Sequence, residues 1–230
     1  MTEAAYLAAT RLAYDTVAAD YAAHFRDELD AKPLDRAMLA AFAEYARGPE
    51  AGEVADLGCG PGRVTAHLRS LGVNAFGVDL SPEMVAVARR SHPGLRFEVG
   101  SMTALDLADE SVGGAVAWYS TVHTPPELLP VVFAEIHRVL APGGRLLIAF
   151  KAGDAHRHAD RGYGHKLSLD IYWMPPERVA GLLGAAGLVL EARLIREPDD
   201  SERPRSGQQA FLLARKPPHV TSEEAVSSRE

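Results

Sequence analysis

The sequence predicts a single α/β domain with a mainly parallel β-sheet and helices on both faces. Short apolar runs alternate with helical segments between residues 50 and 150, the pattern of successive strand–helix–strand units. The runs are almost wholly apolar, as strands buried on both faces must be. Two strand-like segments then close the chain, which predicts a reversed, antiparallel sheet edge.

Residues 3–29 read as a helix that brings several of Tyr6, Tyr14, Tyr21 and Phe25 to one face. A break at Lys32-Pro33-Leu34-Asp35 precedes a second helix, residues 34–47. Val54–Leu57 is the first strand. It runs into Gly58-Cys59-Gly60-Pro61-Gly62 and a helix, Arg63–Leu71. Asn74–Asp79 is the second strand. Ser81 then offers an N-cap and Pro82 a first helical position. Leu95–Val99 is the third strand, and Ser111–Tyr119 contains the fourth. A helix over Glu127–Leu140 ends at Pro142-Gly143-Gly144, and Arg145–Phe150 is the fifth strand. Residues 153–166 are polar and read as irregular, whereas Lys166–Trp173 alternates like a strand. Pro176–Ala186 is helical and Gly187 ends it. Leu188–Arg193 and Gln209–Arg215 are the closing strands, joined by a polar loop over 196–208. The reading is one domain over 1–216, with 1–47 as a helical cap and 153–174 as a lid segment. Residues 217–230 are expected to be a disordered tail.

At 230 residues, with 47% hydrophobic and 24% charged, the chain suits one soluble domain with a full core. The net charge of -7 argues against nucleic acid as a partner, because phosphate binding needs a positive face. Cys59 is the single cysteine, so no internal disulfide or cysteine-rich metal site can form. The first residues do not read as a secretory signal, and no apolar run reaches the roughly 20 residues of a membrane span. A cytoplasmic location and no membrane partner are the expectation, as a monomer or a homodimer.

The strongest chemical signal is the glycine turn between the first strand and its helix. Without side chains at Gly58 and Gly60 the backbone can bend sharply and approach a ligand, and the helix start offers unpaired N–H groups. Asp79 ends the next strand, 21 positions after Gly58, where an acid is placed to accept hydrogen bonds from ribose hydroxyls. A dinucleotide site needs G-x-G-x-x-G, but Arg63 stands where the third glycine belongs. An NAD(P)-dependent oxidoreductase is therefore disfavoured.

Asp56-Leu57-Gly58-Cys59-Gly60-Pro61-Gly62 instead resembles the first motif of the class I S-adenosylmethionine-dependent methyltransferases, acid-x-G-x-G-x-G after an apolar strand. Val78-Asp79-Leu80-Ser81-Pro82-Glu83-Met84 is similar to the family's second motif. Gly100-Ser101-Met102 is similar to its adenine-edge motif, with Ser101 where many members carry Asp, and Leu140–Leu146 to the turn before its fifth strand. The likeness spans residues 50–150. It implies a Rossmann-like seven-stranded sheet, order 3-2-1-4-5-7-6, with strand 7 antiparallel. It implies S-adenosylmethionine as cofactor and S-adenosylhomocysteine as product.

The resemblance also implies roles. Gly58 and Gly60 would approach the methionine part and ribose, and Asp56 would help hold the methionine amine. Asp79 would bind the ribose hydroxyls, Leu80 and Met84 would pack on the adenine, and Ser101 with Met102 would line its edge. Trp118, Tyr119 and Ser120 would face the sulfonium and substrate. Tyr14-Asp15-x-x-Ala18-x-x-Tyr21 resembles a motif of small-molecule members whose tyrosines close over the cofactor; ordinary helix packing accounts for such aromatics equally well.

His123 is a candidate general base, since a free imidazole titrates near neutrality, or else a histidine that only shapes the pocket. Tyr163, His165 and Tyr172 are candidate substrate contacts; Tyr172 and Trp173 also suit a strand core. His156, His158 and His165 with Asp154 and Asp160 lack regular ligand spacing, so a solvated loop or lid is preferred to a metal site. Arg63, Arg89, Arg90 and Arg96 read as surface charges. The function the resemblance implies is methyl transfer from S-adenosylmethionine to an O, N or C nucleophile of a small-molecule metabolite. The alternative is a protein that binds S-adenosylmethionine or S-adenosylhomocysteine without catalysis.

Overall fold

The structure is a computed structural model and describes residues 3–48, 51–199 and 207–219. Two helices lead the chain, α1 (Glu3–His24) and α2 (Pro33–Ala46), with a 3-10 turn at Glu28–Ala31 between them. The first helix thus stops short of residue 29. There follow β1 (Val54–Leu57), α3 (Arg63–Ser70), β2 (Ala75–Asp79), α4 (Pro82–Ser91), β3 (Phe97–Val99), β4 (Val112–Trp118), α5 (Leu129–Val139) and β5 (Leu140–Lys151). The last third holds β6 (Ala155–Gly162), β7 (His165–Trp173), α6 (Pro176–Ala185), β8 (Val189–Arg196) and β9 (Gln209–Arg215).

Seven strands form one sheet in the order β3-β2-β1-β4-β5-β9-β8. The inner pairs β1–β2, β1–β4, β2–β3 and β4–β5 are parallel, while β9 runs antiparallel to both β5 and β8. This is the expected order and reversed strand, once the separate β6–β7 hairpin is left out of the count. The two faces explain the apolar strands. One face packs Phe133, Ile136 and Leu183 of α5 and α6 against Leu57, Leu146 and Leu212. The other packs Leu39, Phe42 and Leu68 of α2 and α3 against Val54, Leu147 and Phe211. All twelve are buried, so β1 and the middle of β5 lack the alternation of a half-exposed strand.

Two local expectations are corrected. Residues 153–166 are not irregular: Ala155–Gly162 pairs with His165–Trp173 as an antiparallel hairpin. Gly162 opposes His165, leaving a two-residue turn in which Tyr163 and Gly164 both have positive φ, +51° and +85°. That is the twist a tight hairpin favours. Pro142-Gly143-Gly144 does not separate α5 from the fifth strand either. Strand pairing begins at Val112↔Leu140 and resumes at Gly114↔Arg145, so the three residues form a bulge inside β5. The loop expected over 196–208 falls outside the described residues from 200 to 206, and the tail does so from 220 onward.

Candidate functional site

The glycine turn is built by the two strands beside it. Gly58 and Cys59 both donate their N–H to the Val78 carbonyl, at 2.7 and 3.1 Å, which pins the turn to the end of β2. At Gly58 φ is +71°, and a Cβ there would lie 2.3 Å from the Ser120 Cβ. Only glycine lets the turn pass under the end of β4. Gly62, at φ +84°, starts α3 against the Phe97 ring, 2.6 Å from where its Cβ would be.

Asp79 closes the same corner. Its Oδ2 accepts the Gly60 N–H at 2.7 Å and its Oδ1 accepts the Ser81 N–H at 2.8 Å. Burial raises its pKa to about 6, against these two bonds, which favour the charged form. Ser81 caps α4 by accepting the Met84 N–H at 3.1 Å, and Pro82 begins the helix, as its sequence position suggested. The Gly100 N–H donates to the Asp79 carbonyl at 2.9 Å, so the loop after β3 reaches the same corner.

These parts surround a cleft with about 750 Å³ of empty space, counting its open mouth. Thirteen sequence candidates line it: Tyr14, Tyr21, Gly58, Gly60, Asp79, Leu80, Met84, Ser101, Met102, Trp118, Tyr119, Ser120 and His123. The ends of β1, β2 and β4 form the floor, and α1 crosses above. Tyr119 has a φ of +54°, a costly conformation for an aromatic residue, held where β4 leaves the sheet. Helix α1 also supplies Tyr6, Leu7, Thr10 and Arg11. Sequence reasoning noted Tyr6 only as a helix aromatic and missed the other three. Their signal was spacing: 7, 10, 11 and 14 share one helical face.

Four candidates stand outside the cleft wall. Asp56 is fully buried beneath the turn, where Thr65 donates to its Oδ2 at 2.6 Å and its Oδ1 has no hydrogen-bond partner among the described residues. Burial raises its pKa to about 7. Tyr163, at the hairpin tip, packs edge-on against Tyr21 with centroids 5.2 Å apart. His165 bonds Asp20 of α1 at 2.7 Å. Tyr172 stacks on His156 at 4.7 Å. His156 and His158 each bond Asp170 Oδ1 at 2.9 Å, and no group of three potential metal ligands assembles among the described residues. Arg63 is not a surface charge: its guanidinium is largely buried and pairs with Glu28 at 2.8 Å.

His123 is buried against the cleft. Its Nδ1 lies 2.6 Å from the Asp170 carbonyl oxygen, and its Nε2 lies 2.8 Å from the Tyr14 hydroxyl. Desolvation lowers its pKa to about 4, so the ring is neutral near pH 7. Thr124, the next residue along, bonds Tyr6 at 2.9 Å.

A glycine turn at a helix start, an acid ending the next strand and a cleft at the carboxyl ends of a parallel sheet define a protein built to hold a nucleoside-type ligand. The methyltransferase-domain family model matches residues 54–144. A malonyl-[acyl-carrier protein] O-methyltransferase of Erwinia billingiae is 32% identical over 127 residues, 53% of this chain and 48% of that protein. A demethylmenaquinone methyltransferase of Chlorobaculum parvum is 32% identical over 136 residues, 57% of this chain and 55% of that protein. The chain thus spans about half the length of these curated relatives. The crystal structure of Burkholderia thailandensis 1,6-didemethyltoxoflavin-N1-methyltransferase, with 1,6-didemethyltoxoflavin and S-adenosylhomocysteine bound, superposes with a TM-score of 0.70 at 26% identity. That likeness covers 94% of this chain and 91% of the other. The methyltransferase-domain match over residues 54–144, the curated relatives and the structural relative together support a class I S-adenosylmethionine-dependent methyltransferase.

Proposed function

We propose that this protein is an enzyme that moves a methyl group from S-adenosylmethionine to a small molecule, and that it works as one domain covered by α1 and the β6–β7 hairpin. The observation that carries the reading is the Asp79 carboxylate, fixed by two backbone N–H groups beside a cleft floor with no side chains at Gly58 and Gly60. A carboxylate so held keeps lone pairs for two vicinal hydroxyls. The residues fit the cofactor at its other parts too. Leu80, Met84 and Met102 offer apolar faces for an adenine, and Ser101 offers a hydroxyl at its edge. Gly58 and Gly60 admit the methionine portion. Asp56 acts from below, holding the turn through Thr65.

Bound S-adenosylmethionine supplies an electrophilic methyl on a good leaving group, so the chain's task is orientation in a dry site. Trp118, Tyr119 and Ser120 line the cleft where β4 ends, and Tyr14 and His123 line it with them. The cover supports a small substrate. Asp15 and Asp20 of α1 bond Ser81 and His165 at 2.6 and 2.7 Å, so α1 is tied both to the cofactor corner and to the hairpin. The structural relative is a 1,6-didemethyltoxoflavin-N1-methyltransferase with 1,6-didemethyltoxoflavin bound, which supports this reading.

Calorimetric titration tests it. The wild type is expected to bind S-adenosylmethionine and S-adenosylhomocysteine and to ignore NAD, with Asp79→Ala losing most of the affinity. Binding of NAD alone would overturn the reading. Binding of S-adenosylmethionine with no methyl transfer to any of a broad metabolite panel would favour the non-catalytic alternative.

A further inference from the structure

The hydrogen-bond inventory around His123 fixes the polarity of one part of the cleft wall. A backbone carbonyl only accepts. The Asp170 carbonyl lies 2.6 Å from His123 Nδ1, so Nδ1 carries the ring proton. A neutral imidazole then has a bare lone pair at Nε2. The Tyr14 hydroxyl, 2.8 Å from Nε2, must donate its proton there. Tyr14 and His123 both line the cleft, so the Tyr14 oxygen has only lone pairs left to offer a ligand. A hydroxyl usually donates or accepts as its partner requires. This one is committed, by a carbonyl 47 residues away from the histidine in sequence, to accept.

We propose that Tyr14 and His123 together form an acceptor site for the hydrogen on the methyl-accepting atom, selecting substrates that present a hydroxyl or a weakly basic aromatic N–H. This rests on the methyltransferase reading and names its substrate class. As the acceptor's lone pair forms the new bond to carbon, the carbon–sulfur pair leaves with sulfur. The acceptor's proton passes to the Tyr14 oxygen, and the Tyr14 proton passes to His123 Nε2. The resulting imidazolium is held by the Asp170 carbonyl. A proton moves this way only from an acid stronger than the buried imidazolium. An alcohol or a weakly basic aromatic nitrogen becomes such an acid once methylated; an alkylamine does not. Tyr14 touches the substrate, and His123 acts through it as a positioning residue and proton store.

The test uses the full chain saturated with S-adenosylhomocysteine, labelled at histidine ring nitrogens and tyrosine Cζ, and followed by nuclear magnetic resonance. His123, assigned by its loss in His123→Gln, is expected to be the Nδ1–H tautomer at neutral pH. Phenol, an O–H donor, is expected to shift the Tyr14 Cζ signal. Anisole, the same ring without the donor, is expected to leave it in place. In Tyr14→Phe the His123 resonances should stay those of the Nδ1–H tautomer, which a structural collapse would not allow and which also secures the assignment if His123→Gln fails to fold. An Nε2–H tautomer, or equal responses to phenol and anisole, would overturn the proposal. Failure of the wild type to bind S-adenosylhomocysteine would instead overturn the function proposed above.

Discussion

The Asp15 carboxylate accepts the Ser81 hydroxyl at 2.6 Å, so the helix over the cleft is fastened to the cap of α4, two residues beyond Asp79. The same oxygen lies 3.4 Å from the Glu83 N–H, at the positive end of that helix. A carboxylate in α1 therefore does for the cofactor corner what a local capping residue does for a single helix.

Asp15→Ala removes that fastening. The expected loss is about 1–2 kcal/mol, the usual cost of a helix-end partner. Opening should be concentrated in α1, whose other polar ties include Tyr6–Thr124, Tyr14–His123, Asp20–His165 and Tyr21–Arg63. Amide hydrogen exchange checks this: faster exchange over α1, with β1 and β4 unchanged, is the expected result. Uniform acceleration across the sheet would mean that α1 is part of the global fold rather than a separable cover.

Asp79 predicts a pH dependence of cofactor affinity. Burial raises its pKa to about 6, and only the carboxylate accepts from two hydroxyls at full strength. Affinity for S-adenosylhomocysteine should fall as pH drops through about 6 and level off above it. Asp79→Asn should bind about tenfold or more weakly and lose that step. Titrations over the same pH series compare the two. A step that survives in Asp79→Asn would assign it to another group.

Much of the frame was legible because burial dictates sequence. The strands β1, β2, β4 and β5 are covered on both faces and read as apolar runs, and Ser81-Pro82 marks a helix start by local chemistry. The hairpin was half legible. β7 shows alternation, but nearly every residue of β6 is exposed, so no face of it needs apolar residues. Its remaining signal was the Tyr163-Gly164 turn. The glycine turn and Asp79 were found by a short-range pattern. The bonds that give His123 and Asp15 their roles join residues 47 and 66 positions apart and leave no local trace.

Asp56 predicts that stability falls as pH rises. Its folded pKa, raised by burial from 3.8 to about 7, means that the folded state holds a proton through a range where the unfolded chain has lost it. Unfolding then releases a proton, and stability declines with pH across that window by on the order of 1 kcal/mol per pH unit. His123 acts with the opposite sign: its folded pKa is lowered from 6.5 to about 4, so its contribution rises with pH over its own window. The difference between wild type and Asp56→Asn isolates the first effect. Denaturant melts should give a variant whose stability gains on the wild type steadily from acid to neutral pH. Parallel pH curves would mean that Asp56 is ionised throughout.

Gly58 and Ser120 predict a partial rescue. A methyl group at Gly58 meets two separate penalties. One is the φ of +71°, which an L residue adopts at a cost of about 1 kcal/mol. The other is the Ser120 Cβ, 2.3 Å away, which must shift or push the end of β4 outward at about 1–3 kcal/mol. Gly58→Ala should therefore lose about 2–4 kcal/mol of stability. Removing the opposing Cβ with Ser120→Gly in the same chain relieves the second penalty and leaves the first. The double variant should recover more than Ser120→Gly alone costs, which thermal melts of all four proteins in a double-mutant cycle will read as a favourable coupling. Additive losses would show that the turn yields elsewhere, and that contact with β4 does not set the position of the cleft floor.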